Sequence, residues 1–125
     1  VHLPGLHDGD ARRVALEAYP GLLARELIGR RSYKSDDPRR HTPERLAARA
    51  DLLAGLERGA TRLGLRLAAA PPLRDALLHD ASGDGLDAAL CLVQAGWALR
   101  RRRLGDARYG LPADMDPLEG WIVTA

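Results

Sequence analysis

Asp84 and Asp87 are two carboxylates three positions apart at the start of the longest helical pattern in the chain, and they are the first candidates for a reactive or ligand-binding site. Apolar residues recur every three or four positions after them, so both carboxylates are predicted on one side of a helix, at its first turn. Oxygen ligands placed in this way can coordinate Mg²⁺ or Mn²⁺. The same residues can also act as an N-cap and as compensation for the helix dipole. Spacing alone leaves both interpretations open.

Glu17 is a third candidate ligand, because it is the one charge inside a short apolar run that ends at Pro20-Gly21. The length of the run and its turn signal favour a strand. A strand end that points toward a helix start is a usual place for a site. The alternative is an exposed glutamate at the rim of the fold.

Three basic residues could contact nucleic-acid phosphates. Lys34 follows Tyr33 in a polar loop, and Arg100 and Arg101 begin a run of four arginines at the end of the longest helical pattern. Arginines there also complement the negative end of the helix dipole, so a solvated charged face is the alternative interpretation.

The composition is that of a soluble globular domain, with 46% hydrophobic and 29% charged residues in a chain of 125. The net charge of +2 is too small to indicate a nucleic-acid partner by itself. No apolar run approaches a membrane span, and no signal peptide is recognisable, so we expect no membrane association. A single cysteine cannot form an internal disulfide, which favours a cytoplasmic location.

The predicted elements are four helices and two strands, with the strands at the extremes of the chain. Two strands alone make a poor sheet. We therefore expect that partner strands are missing or are supplied by a second chain, and that the chain, which starts at Val1 without a methionine, is a fragment. The helices are expected at about 22–28, 42–59, 71–83 and 84–103, and the strands at 12–19 and 118–124.

Six motifs follow one another along the chain. They are, in order, Leu16-Glu17-Ala18-Tyr19-Pro20, Tyr33-Lys34, Arg49, His79-Asp80, Asp84-Gly85-Leu86-Asp87-Ala88 and Glu119-Gly120-Trp121-Ile122. This ordered set resembles domain-of-unknown-function family 429, whose members are predicted nucleases with an RNase H-like fold. The Asp-x-x-Asp-Ala step also looks like the last acidic motif of RuvC-type junction resolvases.

This resemblance implies a single, N-terminally truncated RNase H-like domain over residues 1–125, of the α/β class. It also implies a divalent-metal-dependent nuclease in which Glu17, Asp84 and Asp87 are the catalytic residues and hold Mg²⁺ or Mn²⁺. Two such cations can activate the attacking water and stabilise the leaving oxygen of a phosphodiester.

The chain departs from the family at the first acidic residue, which lies on the first strand of an RNase H-like fold. Asp8 and Asp10 are predicted in a loop and do not match it. We therefore expect the fragment to be inactive alone. The alternative function is a non-catalytic helical interaction or nucleic-acid-binding module that uses the arginines from Arg100 to Arg103.

Overall fold

The computed structural model describes all 125 residues and contains four α-helices without a β-sheet. Regular extended pairing is limited to two isolated bridges, between His2 and Val14 and between Leu3 and His7. None of the helices has the length and apolar character needed to cross a bilayer. The helices are α1 (Pro20–Ile28), α2 (Pro43–Arg58), α3 (Pro71–His79) and α4 (Asp84–Arg103), with a 3-10 turn at Pro38–Arg40.

The prediction of an α/β, partial RNase H-like fold is therefore wrong, because neither predicted strand forms. Residues 14–18 alternate between half-buried and exposed positions, but they lie in no ladder. The segment 118–124 is broken by turns, with φ of 71° at Gly120 and 79° at Thr124, values that lie outside the β region. A backbone hydrogen bond of 2.8 Å from Val123 N to the Glu17 carbonyl joins the two segments without extending into a sheet.

All four predicted helices form, although α1 begins at Pro20 and α3 ends at His79, before its predicted end near Gly83. Local capping explains the limits of α2. The Thr42 hydroxyl accepts a hydrogen bond from Arg45 N, and Pro43 occupies the first turn of α2. Gly59 ends α2 in the left-handed conformation with φ 68°, which costs glycine little. Residues 60–70, which the sequence left ambiguous, form no regular element.

Residues Pro20–Val93 form one compact unit, called the central unit here. In it α2 packs against both α1 and α3. The α1–α2 approach is close, because a Cβ on Gly55 would lie 2.8 Å from a Leu27 methyl. Fully buried leucines supply the apolar surface that holds the unit together. They are Leu23, Leu52, Leu53, Leu56, Leu86 and Leu90.

The segments Val1–Tyr19 and Gln94–Ala125 form a second compact unit, called the terminal unit here. Its apolar core is built by the last part of α4 and by irregular segments from both ends of the chain. Gln94 is fully buried and donates a hydrogen bond of 2.9 Å to the Thr124 hydroxyl, which ties down the C-terminal residues. The core residues are Ala98, Tyr109, Leu111, Met115 and Val123, with Val14, Leu16, Ala18 and Trp97 packed against them. The single-domain prediction for residues 1–125 stays a prediction.

Candidate functional site

Asp87 lies in the first turn of α4, where two side chains from the loop between α1 and α2 bind it. The Tyr33 hydroxyl donates a hydrogen bond of 2.5 Å to one carboxylate oxygen, and the Lys34 ammonium pairs with the other. The hydrogen bond that Lys34 donates to Asp87 raises the pKa of Lys34 against the opposing effect of burial, and the charges of Asp87, Asp84 and Asp36 add to the increase. The position that a divalent cation would take at Asp87 is thus held by an ammonium group.

The Lys34 side chain reaches Asp87 by lying across Gly83. Gly83 has φ 77°, and a Cβ built on it would come within 2.5 Å of the Lys34 Cβ. Ser35 N also donates a hydrogen bond of 3.1 Å to the Ala81 carbonyl, which fixes the loop against the α3–α4 connection. Asp87 therefore anchors a loop, and Asp84 beside it stays exposed.

The carboxylate that caps α4 is Asp80, a role the sequence interpretation gave to Asp84. One Asp80 oxygen accepts a hydrogen bond of 2.9 Å from Gly85 N, and the other accepts from the Ser82 hydroxyl at 2.6 Å. These hydrogen bonds hold the pKa of Asp80 below its usual value. The one from the Ser82 hydroxyl has the largest effect, and the one from the Gly85 amide has the next largest. The Asp-x-Ser spacing before the helix was a sequence signal for this cap.

Arg49 is a second structural residue that the residue-by-residue interpretation missed. It is only 5% exposed and donates hydrogen bonds to the carbonyls of Leu78, at 2.8 Å, and Tyr33, at 2.9 Å. It thereby satisfies a carbonyl at the end of α3 and holds the loop that carries Lys34. Burial lowers the pKa of Arg49, and the nearby Asp80 charge opposes that change.

The predicted metal ligands are distributed over both compact units, with Glu17 in the terminal unit and Asp84 and Asp87 in the central unit. No group of three or more His, Cys, Asp or Glu side chains in the structure could hold a metal ion. The assignment of Mg²⁺ or Mn²⁺ to these three carboxylates stays a prediction without geometric support.

The four arginines at the end of α4 are all exposed, but two of them are engaged with the chain that follows. Arg101 pairs with Asp106 at 3.1 Å and lies 5.9 Å from the centre of the Trp97 ring. Arg102 lies 5.9 Å from the centre of the Tyr109 ring. Arg101 therefore helps to fold the turn after the helix. The prediction that Lys34, Arg100 and Arg101 bind nucleic acid stays a prediction.

Glu17 lies instead at the edge of an apolar cavity within the terminal unit. The cavity has a volume of about 290 Å³, and Glu17 is the one charged residue among those that line it. A second recess of about 260 Å³ adjoins it and shares Glu17, Gly120 and Trp121 with it. We call the two together the Glu17 recess. Its remaining lining residues are Leu3, Pro4, Leu6, Ala15, Leu16, Leu111 and Met115 in the first cavity, and Glu119, Ile122 and Ala125 in the second.

Backbone geometry at Gly120 brings the Glu17 carboxylate and the Trp121 ring to the shared edge of this recess. Gly120 adopts φ 71°, and a Cβ there would lie 3.0 Å from a Glu17 carboxylate oxygen. The hydrogen bond from Val123 N to the Glu17 carbonyl fixes the two segments in register. The Glu17 carboxylate itself has neither a hydrogen bond nor an ion pair.

The chemistry of the Glu17 recess is that of a cation site with an apolar floor. Trp121 is 40% exposed, so one part of its ring is open to a ligand. A cation over an indole face is attracted by the ring quadrupole, and a carboxylate adds charge attraction. Glu119 brings a second negative charge to the same rim. An anionic ligand would be repelled by both carboxylates.

Comparisons with known proteins return no match to this chain, whether to a family, to a curated protein or to a solved structure. The resemblance to domain-of-unknown-function family 429 accordingly stays a prediction from the motifs. Functional inference therefore depends on the geometry of the site itself.

Proposed function

We propose that this chain is a non-catalytic binding domain that takes a small organic cation with an apolar body in the Glu17 recess. The observation that carries the proposal is an unpaired Glu17 carboxylate beside Trp121 at the mouth of an otherwise uncharged cavity. An apolar recess with a few convergent polar groups is a usual place for a small-molecule site in a fold.

The size of the cavity limits the ligand. Its volume of about 290 Å³ lies just below the range of roughly 300–1,000 Å³ that ligand pockets occupy. A single aromatic or short branched group fills such a space, and the cationic group then lies at the rim against Glu17 and Trp121. A primary or quaternary amine on a short apolar body has this shape.

Charge explains why a cation is favoured over a neutral molecule of the same shape. A neutral ligand would cover the Glu17 carboxylate without giving it a counter-charge, which costs free energy. A cation supplies an ion pair and an indole contact, each worth about 0.5–1 kcal/mol at an exposed site. Together these correspond to a preference of about fivefold to thirtyfold.

The test compares 2-phenylethylammonium with 2-phenylethanol, which has the same apolar body without the charge. Each is titrated into ¹⁵N-labelled protein while the backbone amides of Gly120 and Trp121 and the indole N–H of Trp121 are followed by NMR. The ammonium compound is expected to bind about fivefold more tightly, at these residues, because only it brings a positive charge to Glu17 and Trp121.

The variant Glu17→Gln keeps the shape of the side chain and should remove this preference. Glu44→Gln is the matched control, since Glu44 is an exposed glutamate in the first turn of α2 and does not line the recess. Equal binding of the two compounds, an unchanged preference in Glu17→Gln, or shifts confined to residues outside the recess would refute the proposal.

A further inference from the structure

Helix α4 carries an exposed stripe that ends in opposite charges. Ala88, Leu92, Ala95 and Leu99 are all exposed and follow one another at intervals of four, three and four residues, which places them on one helix face. Leu92 is 62% exposed and Leu99 is 46% exposed. Asp84 at the start of the helix and Arg103 at its end are also exposed.

This stripe is complementary to itself when a second copy lies antiparallel. A two-fold axis beside the middle of α4 sets Leu99 against Ala88 of the second copy and Leu92 against Ala95. The same axis sets Arg103 against Asp84. Each large side chain then meets a small one, so the two helices can approach closely, and each end of the stripe meets the opposite charge.

A parallel arrangement has none of these matches. It would place Asp84 beside Asp84, Arg103 beside Arg103 and leucine beside leucine. Antiparallel helices also oppose their dipoles favourably. A two-fold interface must satisfy both directions at once, since residue i contacts j and j contacts i. The three pairs meet this condition.

We propose that the α4 stripe is the interface of an antiparallel homodimer of this chain. A helix of 20 residues is about 30 Å long, and one helix pair buries less than the roughly 1,200 Å² of a standard stable interface. The dimer is therefore weak and forms at high micromolar concentration. Its terminal ion pairs are exposed, so added salt weakens it further.

The first experiment measures the monomer–dimer equilibrium by sedimentation equilibrium from low micromolar to near-millimolar protein. The variant Leu99→Asp places a charge against Ala88 of the second copy and should weaken association at least tenfold. Leu73→Asp is the matched control, because Leu73 is 54% exposed on α3 and lies outside the stripe. Its association constant should equal that of the wild type.

The second experiment tests the antiparallel register by charge exchange. Asp84→Arg and Arg103→Asp should each dimerise poorly alone, because like charges then meet at both ends. An equimolar mixture of the two should form a heterodimer about as tight as the wild type, since both ends are opposite in charge again. If Asp84→Arg does not fold by circular dichroism, Asp84→Asn replaces it and should still associate better with Arg103→Asp than either does alone.

Three results would overturn the dimer. The wild type could remain monomeric at the highest concentration, Leu99→Asp could associate as well as Leu73→Asp, or the mixture could associate no better than its components. None of these results bears on the Glu17 recess, which shares no residue with the stripe.

Discussion

Aspartates near the start of α4 differ in function because their neighbours differ. Asp80 accepts hydrogen bonds from a backbone amide and a hydroxyl, and thereby caps the helix. Asp87 is held by the Lys34 ammonium and the Tyr33 hydroxyl. Spacing in the sequence identified the charged pair, but it could not reveal that a lysine 53 positions earlier supplies the counter-charge.

The cap at Asp80 predicts a specific pH dependence of stability. The folded-state pKa of Asp80 is lowered, so its contribution is complete above the unfolded pKa of about 3.9 and is lost as pH falls through the folded pKa. Asp80→Asn should therefore lose up to about 1 kcal/mol at neutral pH, and its stability should fall less steeply below about pH 4.

Urea unfolding between acidic and neutral pH, followed by circular dichroism, measures this effect. Asp114→Asn is the control, since Asp114 is exposed and makes no side-chain hydrogen bond or ion pair. An Asp80→Asn curve parallel to that of the wild type over the whole acid range would contradict the assignment of the cap.

The engagement of Asp87 predicts that Mn²⁺ does not raise the melting temperature. A cation that binds the folded state must stabilise it, and here it would first have to displace the Lys34 ammonium from Asp87. Thermal melting across a Mn²⁺ titration measures this. A rise in melting temperature that disappears in Asp84→Asn/Asp87→Asn would instead support the metal site that the nuclease resemblance implies.

At the level of elements, the helices were predictable and the strands were not. Thr42 and Pro43 set the start of α2, and Gly59 sets its end, through capping that is readable from the sequence. The apolar spacing of α4 is also visible in the sequence. The run before Pro20 and the segment around Trp121 have strand-like composition, yet a strand needs a neighbour to pair with. Whether a neighbouring strand is present depends on the tertiary structure. In this fold, turns at Gly120 and Thr124 prevent the C-terminal segment from pairing as a strand.

The packing of the Lys34 side chain over Gly83 predicts that two similar glycine substitutions have unequal effects on stability. Gly29→Ala places a side chain at φ 62° with no atom within 4 Å, so it should cost about 1 kcal/mol for the backbone conformation alone. Gly83→Ala has the same strain at φ 77° and adds a Cβ 2.5 Å from that of Lys34. Its cost should be roughly 2–4 kcal/mol.

Urea unfolding of the two glycine variants beside the wild type gives both values. Gly29→Ala measures the cost of the backbone strain alone. The additional loss of stability in Gly83→Ala therefore reports how closely the aliphatic part of Lys34 packs over Gly83. Losses of equal size in the two variants would show that the loop does not pack there.

For the whole molecule, the absence of a sheet is directly measurable in solution. The four helices contain 54 of the 125 residues, and no strand ladder is present. Far-ultraviolet circular dichroism should be dominated by helix, and the infrared amide I band should lack a β-sheet component. A distinct sheet component in the infrared spectrum would favour the α/β fold that the motifs suggested.

The candidate site itself was predictable only in part. The sequence singled out Glu17 as an unusual charge in an apolar run, and that residue does lie at the edge of a recess. Its grouping with Trp121 and Glu119 depends on how the two ends of the chain meet, which no local pattern encodes. The expected partners of Glu17, Asp84 and Asp87, belong to the central unit.

The proposed function requires Glu17 to set the charge preference of the recess, so a variant of opposite charge should alter that preference. The wild type should bind 2-phenylethylammonium in preference to 3-phenylpropionate, because Glu17 and Glu119 attract the first and repel the second. In Glu17→Lys the preference measured by NMR at Gly120 and Trp121 should be lost or reversed. An unchanged preference for the ammonium compound in Glu17→Lys would contradict the account.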